Sequence, residues 1–146
     1  MQDLDYIVVK LLYRQSTPLK IGKIAKELRV PHSTLGSCIK RLKNKGYVNY
    51  EAYHEVRLTS KGSDLAKELI RHAGLLETLL YYELGVKPEL AHRESEKLNL
   101  LLSCETINKI CKKYKHPKKC PCGEVILSSS HCRCETEMRN RVYELN

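Results

Sequence analysis

The chain has 146 residues, enough for one ordinary domain or two small ones, and carries 26 Lys and Arg against 17 Asp and Glu, a formal net charge of +9. Residues 1–62 hold twelve basic and five acidic side chains, whereas residues 63–146 hold fourteen and twelve, so the positive charge is concentrated in the first part. This favours a nucleic acid partner over an anionic membrane, and because the chain shows neither an apolar run of roughly 20 residues nor a signal peptide, we expect a cytoplasmic protein with no membrane partner.

The first predicted element covers residues 4–13, whose apolar side chains recur at helical spacing. The valines within it also permit a strand. The Ser-Thr-Pro sequence at residues 16–18 ends the element.

The stretch from Ile21 to Gly46 is typical of a helix-turn-helix. Its first part carries a narrow apolar stripe, which Pro31 interrupts because proline lacks an amide proton and pushes the preceding residue out of the helical region. A second helix is predicted from Pro31 to Lys45, with Gly46 at its end. The side chains predicted to form its buried face are Leu35, Cys38, Ile39 and Leu42.

The exposed side of this second helix has the composition of a DNA recognition helix. Short hydroxyl side chains lie near its start, where they can approach base edges, and cations lie towards its end, where they can contact phosphates. The predicted DNA-binding residues on this helix are Ser33, Thr34, Ser37, Lys40, Arg41 and Lys43.

After Gly46 the pattern changes to β-branched and aromatic residues on both sides of a short polar turn at residues 53–55, which predicts a β-hairpin. A hairpin directly after a recognition helix is the wing of a winged helix. Arg57 and His54 are then placed to contact phosphate or the minor groove. The equally weighted alternative is that the hairpin only closes the small core.

Three further helices are predicted at residues 63–84, 88–102 and 104–114. The apolar residues of the first repeat close to every 3.5 residues, as expected for a helix that packs against another helix or a second subunit. These helices are too few and too amphipathic to form a large separate core. We therefore expect a homodimer, whose two-fold symmetry would match a palindromic operator.

Five stretches, in the same order, resemble the iron- and manganese-dependent repressors of the diphtheria toxin repressor (DtxR-like) family. They are I-G-K-I-A-K-E-L-R-V-P-H-S-T-L, V-R-L-T-S-K-G, R-H-A-G-L-L-E-T-L-L, H-R-E-S-E-K-L-N-L-L-L-S and H-P-K-K-C-P-C-G-E-V-I. The resemblance runs from residue 5 to about 126 and implies operator binding controlled by a divalent metal such as manganese or iron.

The resemblance also implies a mainly α fold. Its parts would be an N-terminal winged helix-turn-helix DNA-binding domain at 1–62, with a β-hairpin wing, and a helical dimerisation domain at 63–116. A short Cys-rich tail at 117–146 would follow. No third, SH3-like domain fits in the remaining residues. In this the expected domain organisation is similar to that of the two-domain manganese-type branch.

The metal ligands that the resemblance implies are only partly present. Asp5 stands where the manganese branch has an aspartate ligand, but Val8 replaces the carboxylate expected three residues later. Glu96 occupies a further ligand position, whereas the next two, a Glu-His pair in the family, are Asn99 and Leu100. A leucine cannot coordinate a metal ion and an amide is a poor substitute for carboxylate or imidazole, so we expect the main regulatory site to be degraded.

The family's other metal position uses a histidine, a glutamate four residues on and a histidine on the following helix. Glu77 and His92 match the last two, whereas Ala73 stands at the first and His72 lies one residue out of register. The resemblance therefore implies a residual or altered site at His72, Glu77 and His92. The alternative is that these side chains are solvated or only pack helices.

The tail contains a C-x-C…C-x-C arrangement, with Cys120 and Cys122 followed by Cys132 and Cys134. Four thiolates over so short a span can close on one tetrahedral ion, since each C-x-C pair can supply two ligands. Zinc is the first expectation, an oxygen- or redox-sensitive iron-sulfur cluster the second, and free or disulfide-forming cysteines the third. The other cysteines are predicted to be buried as small apolar residues, namely Cys38, Cys104 and Cys111.

These features together predict a dimeric winged-helix transcriptional regulator, expected to repress, that binds double-stranded operator DNA under metal- or redox-linked control. A protein-binding adaptor with a zinc-binding tail is the alternative, and it would show no salt-dependent DNA binding. A thiol oxidoreductase using Cys120 and Cys122 is a weaker alternative, because no general base or substrate pocket is visible in the sequence.

Overall fold

The computed structural model describes residues 1–98 and 100–134. The chain divides into two compact units, one from Met1 to Ala66 and the other beginning at Lys67. Among the described residues, no helix combines the length and the apolar character needed to cross a membrane. The division predicted from sequence, at residues 62 and 116, stays a prediction.

The first unit is a winged helix-turn-helix. Its elements are α1 (Asp3–Gln15), β1 (Leu19–Lys20), α2 (Ile21–Leu28), α3 (His32–Asn44), β2 (Val48–Asn49), β3 (Glu55–Leu58) and the start of α4 (Ser60–Leu84). The three strands form an antiparallel sheet in the order β1-β3-β2. The fold is mainly α with a small sheet, as the sequence predicted.

The predicted hairpin is confirmed, because Val48 pairs with Leu58 and Asn49 with Arg57. Strand β1 was not predicted. It has only two residues, of which Leu19 pairs with Val56, and two residues show no detectable periodicity. The segment that permitted either a helix or a strand is the helix α1.

The core of the first unit is apolar. Buried residues from α1, α2, α3 and the sheet meet in it, and α3 contributes the four side chains that its spacing predicted. The core side chains that are at most 5% exposed are Val8, Val9, Leu12, Leu19, Ile24, Ala25, Leu35, Cys38, Ile39, Leu42, Val48 and Val56.

The T-S-K-G sequence at residues 59–62 joins the end of α3 to the start of α4. The Thr59 hydroxyl donates a hydrogen bond to the Gly46 carbonyl (2.6 Å) and accepts one from the Gly62 amide (3.0 Å). Lys61 Nζ donates to the Lys45 carbonyl (2.8 Å) and lies over the Tyr47 ring, 4.7 Å from its centroid. A side chain at position 62 would overlap the Tyr47 carbonyl, so this close approach requires glycine.

The second unit contains most of α4, then α5 (Pro88–Leu98) and α6 (Cys104–Lys113). Helix α5 is shorter than predicted, and the Leu101 amide donates to the Leu98 carbonyl (2.9 Å) in the connection to α6. Ser103 is the N-cap of α6, and its hydroxyl accepts a hydrogen bond from the Thr106 amide. Buried apolar residues of α4 and α6 pack with the segment after α6 to form the core. Its members are Leu75, Leu76, Ile107, Ile110, Cys111, Cys120, Ile126, Cys132 and Cys134.

Gly74 lets the segment after α6 approach α4 closely. A Cβ atom at position 74 would lie 3.1 Å from Cγ1 of Ile126 and 3.8 Å from Cβ of Cys120. The segment makes a turn in which the Gly123 amide donates to the Cys120 carbonyl (2.8 Å), with Pro121 at the second position. This turn brings two thiols against α4.

Candidate nucleic-acid interface and metal centre

Helix α3 presents polar side chains along its outer face. The predicted residues that are exposed there are Ser33, Thr34, Ser37, Lys40 and Lys43. The Ser37 hydroxyl donates to the Ser33 carbonyl (3.1 Å) and keeps its oxygen lone pairs as acceptors. The hydroxyls lie in the first half of the helix and the lysines in the second, the arrangement expected when a helix N-terminus enters the major groove.

Arg41 is the exception, because it is engaged inside the protein. Its guanidinium donates to both carboxylate oxygens of Asp5, with Nη2 2.7 Å from Oδ1 and Nε 3.3 Å from Oδ2. Asp5 is 0% exposed and Arg41 is 32% exposed. Arg41 therefore links α3 to α1, and its role as a DNA-binding residue remains a prediction.

The same ion pair accounts for Asp5. Its Oδ2 also accepts a hydrogen bond from the Gln2 amide (3.0 Å), which caps α1. Burial raises the pKa of Asp5, but the hydrogen bonds from Arg41 and Gln2 lower it more, so the pKa of Asp5 lies below its usual value. Asp5, which the resemblance implies as a metal ligand, therefore has protein hydrogen-bond donors around its carboxylate.

The wing carries Arg57, which is exposed and lies 3.5 Å from the Glu55 carboxylate. His54 is exposed as well. At the hairpin tip Tyr53 is 97% exposed and has a φ of +68°. This aromatic residue was not predicted as a contact, although its position in a polar turn was a visible signal. Its side chain is therefore available for contact with a partner of the wing.

The remaining positions of the family's main metal site do not assemble a complete set. Val8 is fully buried in the apolar core, and Leu100 has no donor atom. Asn99 lies outside the described residues. Glu96 retains a carboxylate and lies in a group with His92 and Glu124, whose donor atoms are within 4.8 Å of one another.

A second group of donors surrounds Glu77, which is 1% exposed. Its Oε2 lies 3.1 Å from Nδ1 of His92, and its Oε1 accepts a hydrogen bond from the Cys122 amide (2.6 Å). The Cys122 thiol is 3.5 Å from the same His92 nitrogen and 3.0 Å from the Cys120 thiol. We call Glu77, His92, Cys120 and Cys122 the Glu77 site.

The Glu77 site combines two residues from each of two predicted sites. Glu77 and His92 belonged to the residual family site, and Cys120 and Cys122 to the tail. Burial, the neighbouring Cys122 thiol and the Glu77 carboxylate raise the pKa of Cys120 to about 12. A metal ion at this thiol must therefore displace a proton.

His72 does not join Glu77 and His92, so the predicted trio is corrected. Residues 72 and 77 are five apart on α4, which places them about 140° apart around the helix axis. Instead, Nε2 of His72 lies 3.8 Å from the Cys104 thiol and 4.0 Å from the Glu68 carboxylate.

The four tail thiols also do not meet at one point in the described part of the chain. The Cys132 thiol groups with His72 and Cys104, whereas the Cys134 thiol groups with Cys111 and His116. The physical reason is that α6 offers a carbonyl acceptor and a buried surface to each of them. The prediction of a single four-thiolate site for zinc or an iron-sulfur cluster is therefore not the arrangement found.

Comparison with known proteins gives the family. Residues 59–128 match the model of the iron dependent repressor metal binding and dimerisation domain. The chain is 31% identical over 108 residues to a helix-turn-helix transcriptional regulator of Methanocaldococcus jannaschii, covering 73% of this chain and 86% of the relative. It is 31% identical over 102 residues to the regulator MntR of Lysinibacillus sphaericus, covering 70% and 73% respectively.

Among solved structures, the manganese regulator SloR superimposes with a TM-score of 0.76 at 26% identity, covering 89% of this chain. The chain spans 61% of the SloR chain. The winged helix, the helical second unit and these matches agree with one another. The chain therefore belongs to the iron-dependent, DtxR-like repressor family, and it is a DNA-binding transcriptional regulator rather than an enzyme.

Proposed function

We propose that this regulator is a cytoplasmic homodimer that represses by binding operator DNA with α3, and that a metal ion at the Glu77 site controls this binding. The observation that carries the proposal is the Glu77 carboxylate, which is buried between an imidazole and the backbone of a cysteine-containing turn. Burying a carboxylate beside two thiols and an imidazole costs free energy, and a bound cation would offset this cost.

The donor set fits zinc better than manganese. Two thiols, one imidazole and one carboxylate can supply four ligands, and thiolates select zinc, whereas manganese prefers oxygen ligands. The Cys122 amide holds one oxygen of Glu77 in place, leaving the other directed at His92. When bound, the metal would supply the charge that neutralises two thiolates and join α4, α5 and the C-P-C turn.

Exposed apolar residues in the second unit support the homodimer. Leu101 is 76% exposed, Leu84 70% and Tyr82 65%, so these apolar side chains are available for contact with a second copy of the chain. Burial of these residues against a second copy would remove them from water. A two-fold dimer would place two copies of α3 on the half-sites of a palindrome.

The test is operator binding by full-length protein with controlled metal content, using duplexes selected from a random library. We expect zinc to tighten binding by the wild type at least about tenfold, and manganese to have a smaller effect. Cys122→Ser is the first variant, because Cys122 is exposed and its loss should not affect folding. Glu77→Gln is the second, and Glu94→Gln on the exposed side of α5 is the matched control.

Metal-dependent tightening should vanish in Cys122→Ser and Glu77→Gln and persist in Glu94→Gln. If tightening by zinc survives in both site variants, the Glu77 site is not the control site. If the wild type shows no salt-dependent DNA binding at all, the winged helix would serve as a protein-binding adaptor instead.

A further inference from the structure

Another group of donors lies in the second unit and includes none of the Glu77 site residues. We propose that Glu68, His72, Cys104 and Cys132 form a separate structural zinc site, the Cys104 site. No family ligand position supplies Cys104 or Cys132, and the inference does not rest on the metal control proposed above.

Three donor atoms of the Cys104 site lie about as far apart as the ligands in a tetrahedral shell, and the Cys132 thiol lies nearby. The Cys104 thiol lies 3.3 Å from Oε1 of Glu68 and 3.8 Å from Nε2 of His72, and these two atoms are 4.0 Å apart. The Cys132 thiol lies within 4.8 Å of both the His72 and the Cys104 donor atoms. With bonds of about 2.3 Å to sulfur and about 2.1 Å to nitrogen or oxygen, donors around tetrahedral zinc lie about 3.4–3.8 Å apart.

The four donors come from three separate parts of the unit. Glu68 and His72 are one turn apart on α4 and therefore project from the same face. Cys104 is the first residue of α6, and Cys132 belongs to the segment after it. His72 and Cys132 are at most 1% exposed, so the site is closed to solvent on two sides, as structural zinc sites are.

Arg71 supplies the charge that such a site needs. Two thiolates, one carboxylate and a zinc dication leave one negative charge, which is costly to bury alone. The Arg71 guanidinium is fully buried, donates to the Leu127 carbonyl and to Asn108 Oδ1 (3.3 Å each), and interacts electrostatically with Cys132. Its positive charge would neutralise the occupied site.

A disulfide between Cys104 and Cys132 is the competing explanation for two neighbouring thiols. A disulfide would involve neither His72 nor Glu68, although the donor atoms of both lie near the Cys104 thiol. Zinc uses all four groups. A zinc ion at this site would therefore link Cys132 to both α4 and α6.

The experiment counts zinc in full-length protein purified under reducing conditions and dialysed against a weak chelator. Relative to the wild type, we expect Cys104→Ser/Cys132→Ser and, separately, His72→Asn to lose one equivalent of zinc. Cys122→Ser should lose a different equivalent, so combining it with His72→Asn should lose two. Cys38→Ala is the matched control, because this buried thiol belongs to the first unit and to none of the described donor groups.

Cobalt substitution separates metal binding from misfolding. In the Cys122→Ser background, cobalt should give the absorption bands of a tetrahedral thiolate site, and His72→Asn should remove them while the far-ultraviolet circular dichroism stays unchanged. Full zinc content in both Cys104-site variants would overturn the proposal. A Cys104–Cys132 disulfide peptide in protein with unchanged zinc content would overturn it too. Either result leaves the operator-binding test of the Glu77 site unaffected.

Discussion

The two units differ in what they bury. In the described first unit the buried polar residues are Asp5 and Lys10. The second unit buries more of them, namely Arg71, His72, Glu77, Thr78, Ser95 and Ser129. An apolar core tolerates substitution when volume is kept, whereas a buried polar group needs specific partners. The first unit is therefore a conventional DNA-binding scaffold, and the chemistry particular to this chain is concentrated in the second.

The largest of the expected effects should come from substitutions on the recognition helix α3, in the first unit. Charge reversal in Lys40→Glu/Lys43→Glu should weaken operator binding roughly a hundredfold at low salt and reduce the salt dependence by about two counterions, because two phosphate contacts are lost. Fluorescence anisotropy at several salt concentrations measures both. Lys87→Glu/Lys112→Glu, with the same change in net charge on exposed residues of the second unit, is the control. An equal loss of operator affinity in both variants would show that α3 is not the DNA-binding element.

The next effect concerns the close approach at Gly62. Gly62→Ala should destabilise the protein by about 2.5 kcal/mol, because the added methyl group overlaps the rigid Tyr47 carbonyl. Gly36→Ala, within α3, is the matched control, since a methyl group there meets nothing within 4 Å and should stabilise the helix by about 1 kcal/mol. Urea denaturation measures both. A neutral Gly62→Ala would show that the junction between α3 and α4 is adaptable.

The smallest of the three effects should come from the buried ion pair of the first unit, between Asp5 and Arg41. Asp5→Asn should cost about 2 kcal/mol, because Arg41 and the Gln2 amide lose a charged acceptor. Since the pKa of Asp5 is lower in the folded protein than in the unfolded chain, the pair stabilises above the usual carboxyl pKa and ceases to do so as pH falls through the folded value.

Wild type and Asp5→Asn should therefore differ in stability at neutral pH and converge in acid, as measured by denaturation at several pH values. The matched control is Asp3→Asn, an exposed carboxylate on the same helix. A constant difference at every pH would mean that the Asp5→Asn substitution perturbs packing and that the charge of Asp5 is unimportant.

The sequence predicted the first unit well because its signals are local. The apolar spacing of Leu35, Ile39 and Leu42 identifies the inner face of α3, and the change to β-branched residues after Gly46 identifies the hairpin. Periodicity depends on neighbouring residues, and helices and hairpins are defined by them. The engagement of Arg41 by Asp5, 36 residues apart, has no such local signal.

The candidate sites were predicted only in their parts, for the same reason. The pattern C-x-C identifies thiols that can bind a metal but does not identify their partners. The Cys122 amide meets Glu77 across 45 residues, and Cys104 meets Glu68 across 36. The first pairing follows from how the segment after α6 packs on α4, for which Gly74 provides the space, and the second from the packing of α6 itself. Spacing arguments joined Cys122 to Cys132, whereas packing joins each to a different helix face.

The positions of the Cys132 and Cys134 thiols limit where residues can be inserted or deleted in the tail. Cys104 and Cys111 are seven residues apart on α6, a rise of about 10.5 Å, and Cys132 and Cys134, about 7 Å apart in an extended chain, each group with one of them. The spacing of the two tail thiols therefore has to match the spacing of the two thiols on α6. Inserting or deleting one residue at Arg133 would let at most one thiol keep its partners. In related chains with this tail, we expect the two spacings to change together or not at all.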